Sequence, residues 1–219
     1  MLTTVKTERL LVSRQDPDTR GFVRIGVLTI EGDEYVFDYD ADVARPLPGL
    51  PLGSRHRSTS LFPIFAERVM HPHRPDRVQT LEQLGLGPDA GPFEVLAVSG
   101  GRRTGDTYEL TPLPEVGEVS LPFLVHGIRH LTPAERDRID LLKVGQRLVL
   151  VAEPENEAND RALLVTDDGV RLGYVPDPLL EHVHPIIEED HSLTVVRVNE
   201  AEAGLHMRLL VLLRGTYKG

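Results

Sequence analysis

The sequence predicts an α+β protein with two domains, residues 1–114 and 115–219, and three observations carry this prediction. Apolar and β-branched runs recur in both halves and are separated by turn signals, as in sheets of short strands. Capping motifs mark a few short helices among those runs. Pro112 to Gly117 is typical of a linker, and a chain of 219 residues is long enough for two small domains.

In the first half, two β-rich segments predict a hairpin. They are Phe22 to Ile30 and Tyr35 to Tyr39, and a polar, Gly-containing turn joins them. Side chains alternate along a strand, so three aromatic residues of the second segment share one face: Tyr35, Phe37 and Tyr39. This spacing occurs in nucleic-acid stacking platforms and also in buried sheet faces, and we favour the buried face.

A basic stretch follows the hairpin. Arg45 to Leu52 contains Pro residues that exclude a helix interior or a central strand, so it predicts an extended connector. Leu61 to Met70 predicts a helix capped by Ser60. Between Arg45 and Arg77, six Arg and three His accompany two carboxylates. Two interpretations stay open: a solvated loop, which we favour, or a rim that contacts phosphates or an acidic partner.

Two helices, a glycine-rich turn and a strand end the first half. Thr80 to Leu86 and Phe93 to Val98 predict the helices, and Asp106 to Thr111 predicts the strand. The turn carries Arg102 and Arg103 among three Gly, which makes it a candidate anion-binding site through guanidinium and backbone N–H groups. An ordinary turn is the alternative that we favour, because the spacing matches no nucleotide-binding motif.

The second half is organised around a three-stranded meander. Leu148 to Val151 predicts its first strand, Arg161 to Thr166 its second and Val170 to Val175 its third. Asp167-Asp168-Gly169 predicts a tight hairpin turn, because Asp and Gly tolerate positive φ. The polar residues Glu153 to Asp160 predict a loop at the rim of this sheet.

Two helices and two further strands complete the second half. Thr132-Pro133-Ala134-Glu135 is a capping box and predicts a helix through about Leu142. Asp177-Pro178 starts another helix, which Pro185 is expected to close. Leu193 to Val198 and Leu205 to Leu213 are densely apolar and predict core strands.

Five ordered pieces of the second half resemble the HIRAN domain and together cover about Leu121 to Arg214. These pieces are Val125-His126-Gly127-Ile128-Arg129-His130, Lys143-Val144-Gly145-Gln146, Glu153-Pro154-Glu155-Asn156, Ala162, and Leu172-Gly173-Tyr174-Val175-Pro176. The resemblance implies a small β-barrel-like module that binds single-stranded DNA and, in some members, its 3′ end.

The resemblance also implies candidate DNA-contacting residues, which are Arg129, His130, Asn156, Asn159, Arg161 and Tyr174. Arg129, on the opening strand, would bind a phosphate, and His130 takes the place of an aromatic that stacks on a terminal base. Tyr174 is expected either to stack or to lie in the core. Many members carry an aromatic and an acid where this chain has Ala158 and Asn159. This difference is expected to weaken end binding.

The first half, from about Val5 to Pro114, resembles the amino-terminal subdomain of the HipA-type kinases. The residues that carry this resemblance are Gly26-Val27-Leu28, Phe37-Asp38-Tyr39-Asp40, Pro46-Leu47 to Pro51-Leu52, Phe65-Ala66-Glu67-Arg68 and Leu86 to Gly101. No kinase catalytic core follows, so the resemblance implies a regulatory or partner-binding piece. It supports an alternative function as a protein-interaction or antitoxin-like module that docks on or regulates a HipA-type kinase.

Composition limits the classes of function. The formal net charge of −10 argues against a protein that coats nucleic acid, although a local Arg cluster can still hold a short phosphate run. The sequence has no Cys, and its His71 and His73 pair lacks further metal ligands. We therefore expect a non-enzymatic protein without a metal or cofactor. The sequence shows no signal-peptide pattern and no membrane span, so we expect a soluble, cytoplasmic protein.

Overall fold

A computed structural model describes residues 8–103, 105 and 107–219. The described chain is a mixed α/β structure with two sheets and few helices. It forms two compact units: one contains residues 8–78 and Asp89–Leu113, and the other contains Gln79–Pro88 and Pro114–Gly219. The sequence predictions at Val5 and Asp106 lie outside the described residues. Within the described ranges, no helix combines the length and the apolar character needed to span a membrane.

The first unit is built on a five-stranded antiparallel sheet. In spatial order its strands are β4 (His56–Ser58), β3 (Glu34–Tyr39), β2 (Phe22–Glu31), β1 (Arg9–Gln15) and β5 (Tyr108–Pro112). Strands β2 and β3 form the predicted hairpin, which pairs closely at Gly26 because a Cβ there would lie 2.1 Å from the Asp38 carbonyl oxygen. Phe37 is fully buried and Tyr35 and Tyr39 pack against the same core, which confirms the buried-face interpretation.

Three short helices lie between β4 and β5. They are α1 (Pro63–Ala66), α2 (Arg77–Gln83) and α3 (Pro92–Ser99). Helix α1 begins after Phe62, so the predictions of a Ser60 cap and of a helix through Met70 are wrong. The N–H groups of Arg68 and Val69 bond to carbonyls three residues back, which tightens the chain and ends the regular helix.

The second unit contains a six-stranded antiparallel sheet that closes on itself. Its strands follow the order β6 (Gly117–Leu124), β11 (Leu209–Tyr217), β10 (Ser192–Val198), β7 (Arg147–Ala152), β8 (Leu163–Asp167) and β9 (Val170–Tyr174). The two edges meet where His126 and Tyr174 exchange two backbone N–H···O bonds of 2.9 Å. The closed sheet surrounds an apolar core that includes Phe123, Leu163 and Leu172.

The predicted meander is present as β7, β8 and β9. Asp168 and Gly169 have φ values of 48° and 79°, which is the conformation expected for the tight turn between β8 and β9. The second predicted strand begins two residues late, at Leu163, because the rim loop extends through Ala162, whose N–H bonds to the Asn159 carbonyl. The sequence therefore predicts the topology of this region and only approximates the strand ends.

The opening strand is shorter than predicted. Strand β6 ends at Leu124, and Gly127 has a φ of 78°, which ends the extended chain. Residues Ile128–His130 then form a 3-10 helix. Arg129 and His130 therefore lie on this helical turn, and their predicted place on the strand is wrong.

The two helices of the second half are α4 (Pro133–Asp140) and α5 (Leu180–Ile187). The capping box of α4 is confirmed: Thr132 N–H donates to Glu135 Oε2 at 2.8 Å, and Glu135 N–H donates to Thr132 Oγ1 at 3.3 Å. Pro185 lies inside α5, so its predicted role as a terminator is wrong. Ile186 is fully buried, and burial of this apolar face offsets the hydrogen bond that Pro185 cannot make.

A polar network fixes the segment before β7. The buried Asp167 carboxylate accepts from Arg138 Nε at 2.7 Å and from Gln146 Nε2 at 2.8 Å. Gln146 Oε1 in turn accepts from the Lys143 N–H at 3.0 Å. A buried charge requires partners of this kind, so Gln146 and Arg138 hold the turn after β8 against α4 and the entry to β7.

Residues Gln79–Pro88 contribute to the second unit through a buried amide. Asn199 Nδ2 donates to the Gln83 carbonyl at 2.9 Å and to the Met207 carbonyl at 2.6 Å. Arg197 Nε donates to Asn199 Oδ1 at 2.9 Å. Asn199 therefore satisfies the carbonyl at the end of α2 while it joins the ends of β10 and β11.

Gly173→Ala is expected to destabilise the second unit. Gly173 has a φ of 129°, and an added Cβ would lie 2.3 Å from the His126 carbonyl oxygen, so the closure of the sheet would have to open. We expect a loss of about 1–3 kcal/mol in the free energy of unfolding, measured by urea denaturation. Gly87→Ala is the matched control, because nothing lies within 4 Å of its added Cβ. Equal midpoints for the two variants would contradict this account of the closure.

Candidate nucleic-acid interface

Tyr174 stands at the centre of the candidate interface. Its backbone forms the closure with His126, and its ring lies against Gly127, where an added Cβ would come within 3.0 Å of Tyr174 Cδ2. The side chain is half-buried. Tyr174 therefore lies neither fully in the core nor fully at the surface. Its ring packs against the closure of the sheet, and its hydroxyl group lies at the rim.

Glu153 accepts hydrogen bonds from the rim loop and from strand β9. Its Oε2 accepts from the Tyr174 hydroxyl at 2.9 Å and from Asn156 Nδ2 at 2.5 Å. The Asn156 amide and then the Tyr174 hydroxyl lower the pKa of Glu153, while burial and the neighbouring Glu153 carboxylate raise the pKa of Tyr174. Sequence reasoning missed Glu153 as a site residue, although its position directly after β7 and before a Pro was a usable signal.

Asn156 and Asn159 shape the rim loop, residues 153–161. Asn156 Oδ1 accepts from the N–H groups of Ala158 at 3.0 Å and Asn159 at 3.3 Å. Asn159 Oδ1 accepts from the Arg161 N–H at 2.9 Å, and its side chain also hydrogen-bonds Asp177. Their contact with DNA stays a prediction, but both amides already have partners within the protein.

Three of the predicted residues project exposed basic or imidazole groups. Arg129 Nε donates to His130 Nε2 at 2.9 Å, and both side chains are exposed. The exposed Arg161 side chain makes no ion pair with any residue that the structure describes. Its carbonyl accepts from His184 Nε2 at 2.9 Å, which attaches the end of the rim loop to α5.

An ion pair beside the rim was not predicted from the sequence. Arg171 Nε donates to Glu135 Oε1 at 2.9 Å, and the same carboxylate accepts from Thr132. The Arg171 guanidinium, followed by the N–H and hydroxyl groups of Thr132, lowers the pKa of Glu135 to about 2. The positive charge of Arg171 is therefore compensated within the protein, and the capping box identified from sequence gave no hint of this second role for Glu135.

The interface has a mixed charge. Residues 119–215 contain 10 Arg and Lys against 16 Asp and Glu, and the rim loop itself carries Glu155, Glu157 and Asp160. Burial raises the pKa of Asp177, the half-buried partner of Asn159. A phosphate chain would therefore meet few uncompensated cations here, chiefly those of Arg129 and Arg161.

The basic residues of the first unit are mostly engaged. Arg55 and Arg57 pair with Glu31, and Arg57 also pairs with Glu34 at 2.9 Å. Arg74 pairs with Asp76 at 2.6 Å, and Arg77 donates to the carbonyls of Met70 and Ala90. These contacts favour a structural role for this stretch.

The glycine-rich turn has a similar character. Arg103 pairs with Glu67 at 2.6 Å, and the Gly101 N–H donates to Ser99 Oγ at 3.1 Å, so two of the groups expected to hold an anion have partners. Anion binding at Arg102 and Arg103 stays a prediction. In the described part of the chain, no group of three or more His, Cys, Asp or Glu is arranged to hold a metal ion.

A small closed antiparallel sheet with a polar loop at its closure gives the second unit a β-barrel-like architecture. Residues 119–215 match the family model of the HIRAN domain, so this part of the chain is a HIRAN domain. HIRAN domains are generally associated with DNA binding. This match confirms the resemblance found in the second half of the sequence.

A crystal structure of a protein from Lactobacillus plantarum is similar to part of this chain at 19% identity. The matched region covers 46% of this chain and 99% of that chain, with a TM-score of 0.35. The search of curated proteins finds no match. None of these findings supports the HipA-type resemblance of the first half.

The stability of the second unit is expected to fall in acid through Glu135. Its folded-state pKa of about 2 lies below the ordinary value of 4.5, so its contribution is complete above about pH 4.5 and is lost as the pH falls toward 2. Urea midpoints measured across this window should fall less steeply for Glu135→Gln than for the wild type. Glu155→Gln, which changes an exposed carboxylate of the rim loop, is the control. Parallel curves for Glu135→Gln and the wild type would contradict the prediction.

Proposed function

We propose that this protein binds single-stranded DNA, including its ends, through the rim around Tyr174 and catalyses no reaction there. The observation that carries the proposal is the HIRAN domain at residues 119–215, since such domains are associated with DNA binding. The exposed groups at the closure of the sheet supply the chemistry that a short DNA segment requires.

The candidate contacts divide into phosphate and base groups. Arg129 and Arg161 are exposed guanidinium groups that can donate two hydrogen bonds to one phosphate. The exposed ring of His130 presents a face on which a base can stack. Tyr174 contributes its ring edge and a hydroxyl that Glu153 already orients. These four side chains can contact one or two nucleotides at the rim. A protein that coats single-stranded DNA would contact a longer run of phosphates.

The mixed charge of the rim implies weak and moderately salt-dependent binding. With about two phosphates neutralised, the slope for single strands of about −0.7 per contact gives a loss of roughly sevenfold in affinity between about 50 and 200 mM salt. Glu153 and Asp177 oppose further phosphate contacts, because neither carboxylate has a basic side chain as its hydrogen-bond partner. We therefore expect selectivity for short single-stranded segments over duplex backbone.

Arg129→Ala in the full chain tests the phosphate contact. Loss of one charge-assisted contact should weaken binding of a labelled single-stranded oligonucleotide about tenfold and reduce the salt slope by about 0.7. Fluorescence anisotropy across a salt series measures both quantities. Arg214→Ala is the control, because Arg214 is exposed near the other end of β11 from the closure. An absence of binding by the wild type at about 50 mM salt would refute the proposed DNA binding. It would favour the alternative function, binding of a protein partner such as a HipA-type kinase.

Ala158→Tyr is expected to strengthen the same binding. Ala158 is exposed in the rim loop, and only its N–H is engaged, with Asn156 Oδ1 at 3.0 Å, so a larger side chain can be accommodated. A base stacked on an aromatic ring gains roughly 1–3 kcal/mol, which corresponds to a gain of about tenfold or more in affinity. Ala201→Tyr, at an exposed site in the 3-10 helix Ala201–Ala203, controls for nonspecific stacking. Equal affinities for the two Tyr variants would place the bound base elsewhere.

A further inference from the structure

The outward face of strands β7, β8 and β9 carries two ordered rows of side chains. In the first row Val151 lies opposite Leu164, and Leu164 lies opposite Tyr174. In the second row Val149 lies opposite Thr166, and Thr166 lies opposite Arg171. We call this surface the outer face. Its side chains point away from the core, because the alternate residues of the same strands, including Leu148, Leu163, Val165 and Leu172, fill the core.

An apolar strip on the outer face is open to solvent. Val149 is 58% exposed and Val151 is 44% exposed, and their spacing of two residues makes them neighbours on one side of β7. Leu164, opposite Val151 on the next strand, is buried at 8% exposure, so the open part of the strip consists of the two valines of β7. Two neighbouring exposed valines give this face a small apolar surface against which a ligand can pack.

Arg147 extends the same line by one more position. It lies two residues before Val149 on β7, is exposed, and makes no ion pair with any residue that the structure describes. At about 3.3 Å per residue, the line from Val151 to Arg147 is about 13 Å long. The outer face therefore combines an apolar strip with an uncompensated cation at its far end.

Tyr174 connects the strip to the rim. Its ring belongs to the first row of the outer face, and its hydroxyl donates to Glu153 in the rim loop. The carboxylates that bond to residues of this face are already engaged, Glu153 with Asn156 and Tyr174, and Glu135 with Thr132 and Arg171. Glu153 has neutral partners and keeps its negative charge at the rim end of the strip, whereas Arg147 supplies a positive charge at the far end.

We propose that the outer face is a track for the bases of a single strand that continues beyond the nucleotides held at the rim. This inference rests on the proposed function. The bases lie over the exposed Val149 and Val151, and Arg147 binds a phosphate farther along the strand. Every base offers an apolar face, so this contact is tolerant of sequence. The continuity with the rim and the positive charge of Arg147 at the far end favour a nucleic acid over other occupants.

Oligonucleotide length separates the track from the rim. Anisotropy with labelled oligothymidines of about 4 and about 12 nucleotides, on the full chain, should give tighter binding of the longer one. Arg147→Ala should weaken binding of the longer oligonucleotide about fivefold and reduce its salt slope by about 0.7, with the shorter one unaffected. Arg214→Ala, another exposed strand arginine, should change neither.

Val151→Glu tests the apolar strip, with Val116→Glu as its matched control at a site that is 74% exposed. Val151→Glu should weaken binding of the longer oligonucleotide about tenfold and leave the shorter one unchanged. If thermal unfolding shows that Val151→Glu does not fold, Val151→Thr is used, with a smaller loss of the same kind expected. Binding that is independent of length, or unaffected by both Arg147 and Val151, would overturn the track alone and point to a protein ligand on this face. Absence of binding by either oligonucleotide would overturn the proposed function and the track together.

Discussion

The pair of backbone hydrogen bonds between His126 and Tyr174 is the constraint on which the second unit depends. These bonds join the two edges of the sheet, and they require the chain to approach so closely at Gly173 that no side chain fits there. The same contact fixes Tyr174, and through its hydroxyl it orients Glu153 and Asn156. The closure of the barrel and the geometry of the rim therefore depend on the same residue. Tyr174 joins the two edges of the sheet through its backbone, and its side chain belongs to the candidate site.

Across the described parts of the chain, the ion pairs of this acidic protein leave some of its basic side chains without a carboxylate partner. Near the rim, Arg171 is compensated by Glu135, while Arg129 and Arg161 face solvent. In the first unit, Arg55 and Arg57 are compensated by carboxylates of β2 and β3. Local ion pairs with carboxylates thus decide which guanidinium groups remain available to a ligand. The net charge of −10 does not show which groups these are.

Local rules of the sequence predicted a large part of the fold. The Asp-Gly turn, the capping box at Thr132 and the alternation along β3 each follow from backbone or side-chain geometry within a few residues, and all three are present. The misplaced features depend on distant contacts. Pro185 stays inside a helix because Ile186 is buried, and Arg129 leaves the strand because the chain turns at Gly127. Glu153 was missed as a site residue because its partner Tyr174 lies 21 positions away in the sequence.

The bond from Asn199 to the Gln83 carbonyl has a consequence for how this domain can be handled as a module. The HIRAN match starts at residue 119, yet the buried amide of Asn199 completes its hydrogen bonding with a helix end far upstream. A fragment that begins at residue 119 would lack the Gln83 carbonyl, so the buried Asn199 side chain would lose one of its hydrogen-bond acceptors. Grafting the domain onto another scaffold therefore calls for carrying residues 79–88 along, or for a compensating change at position 199.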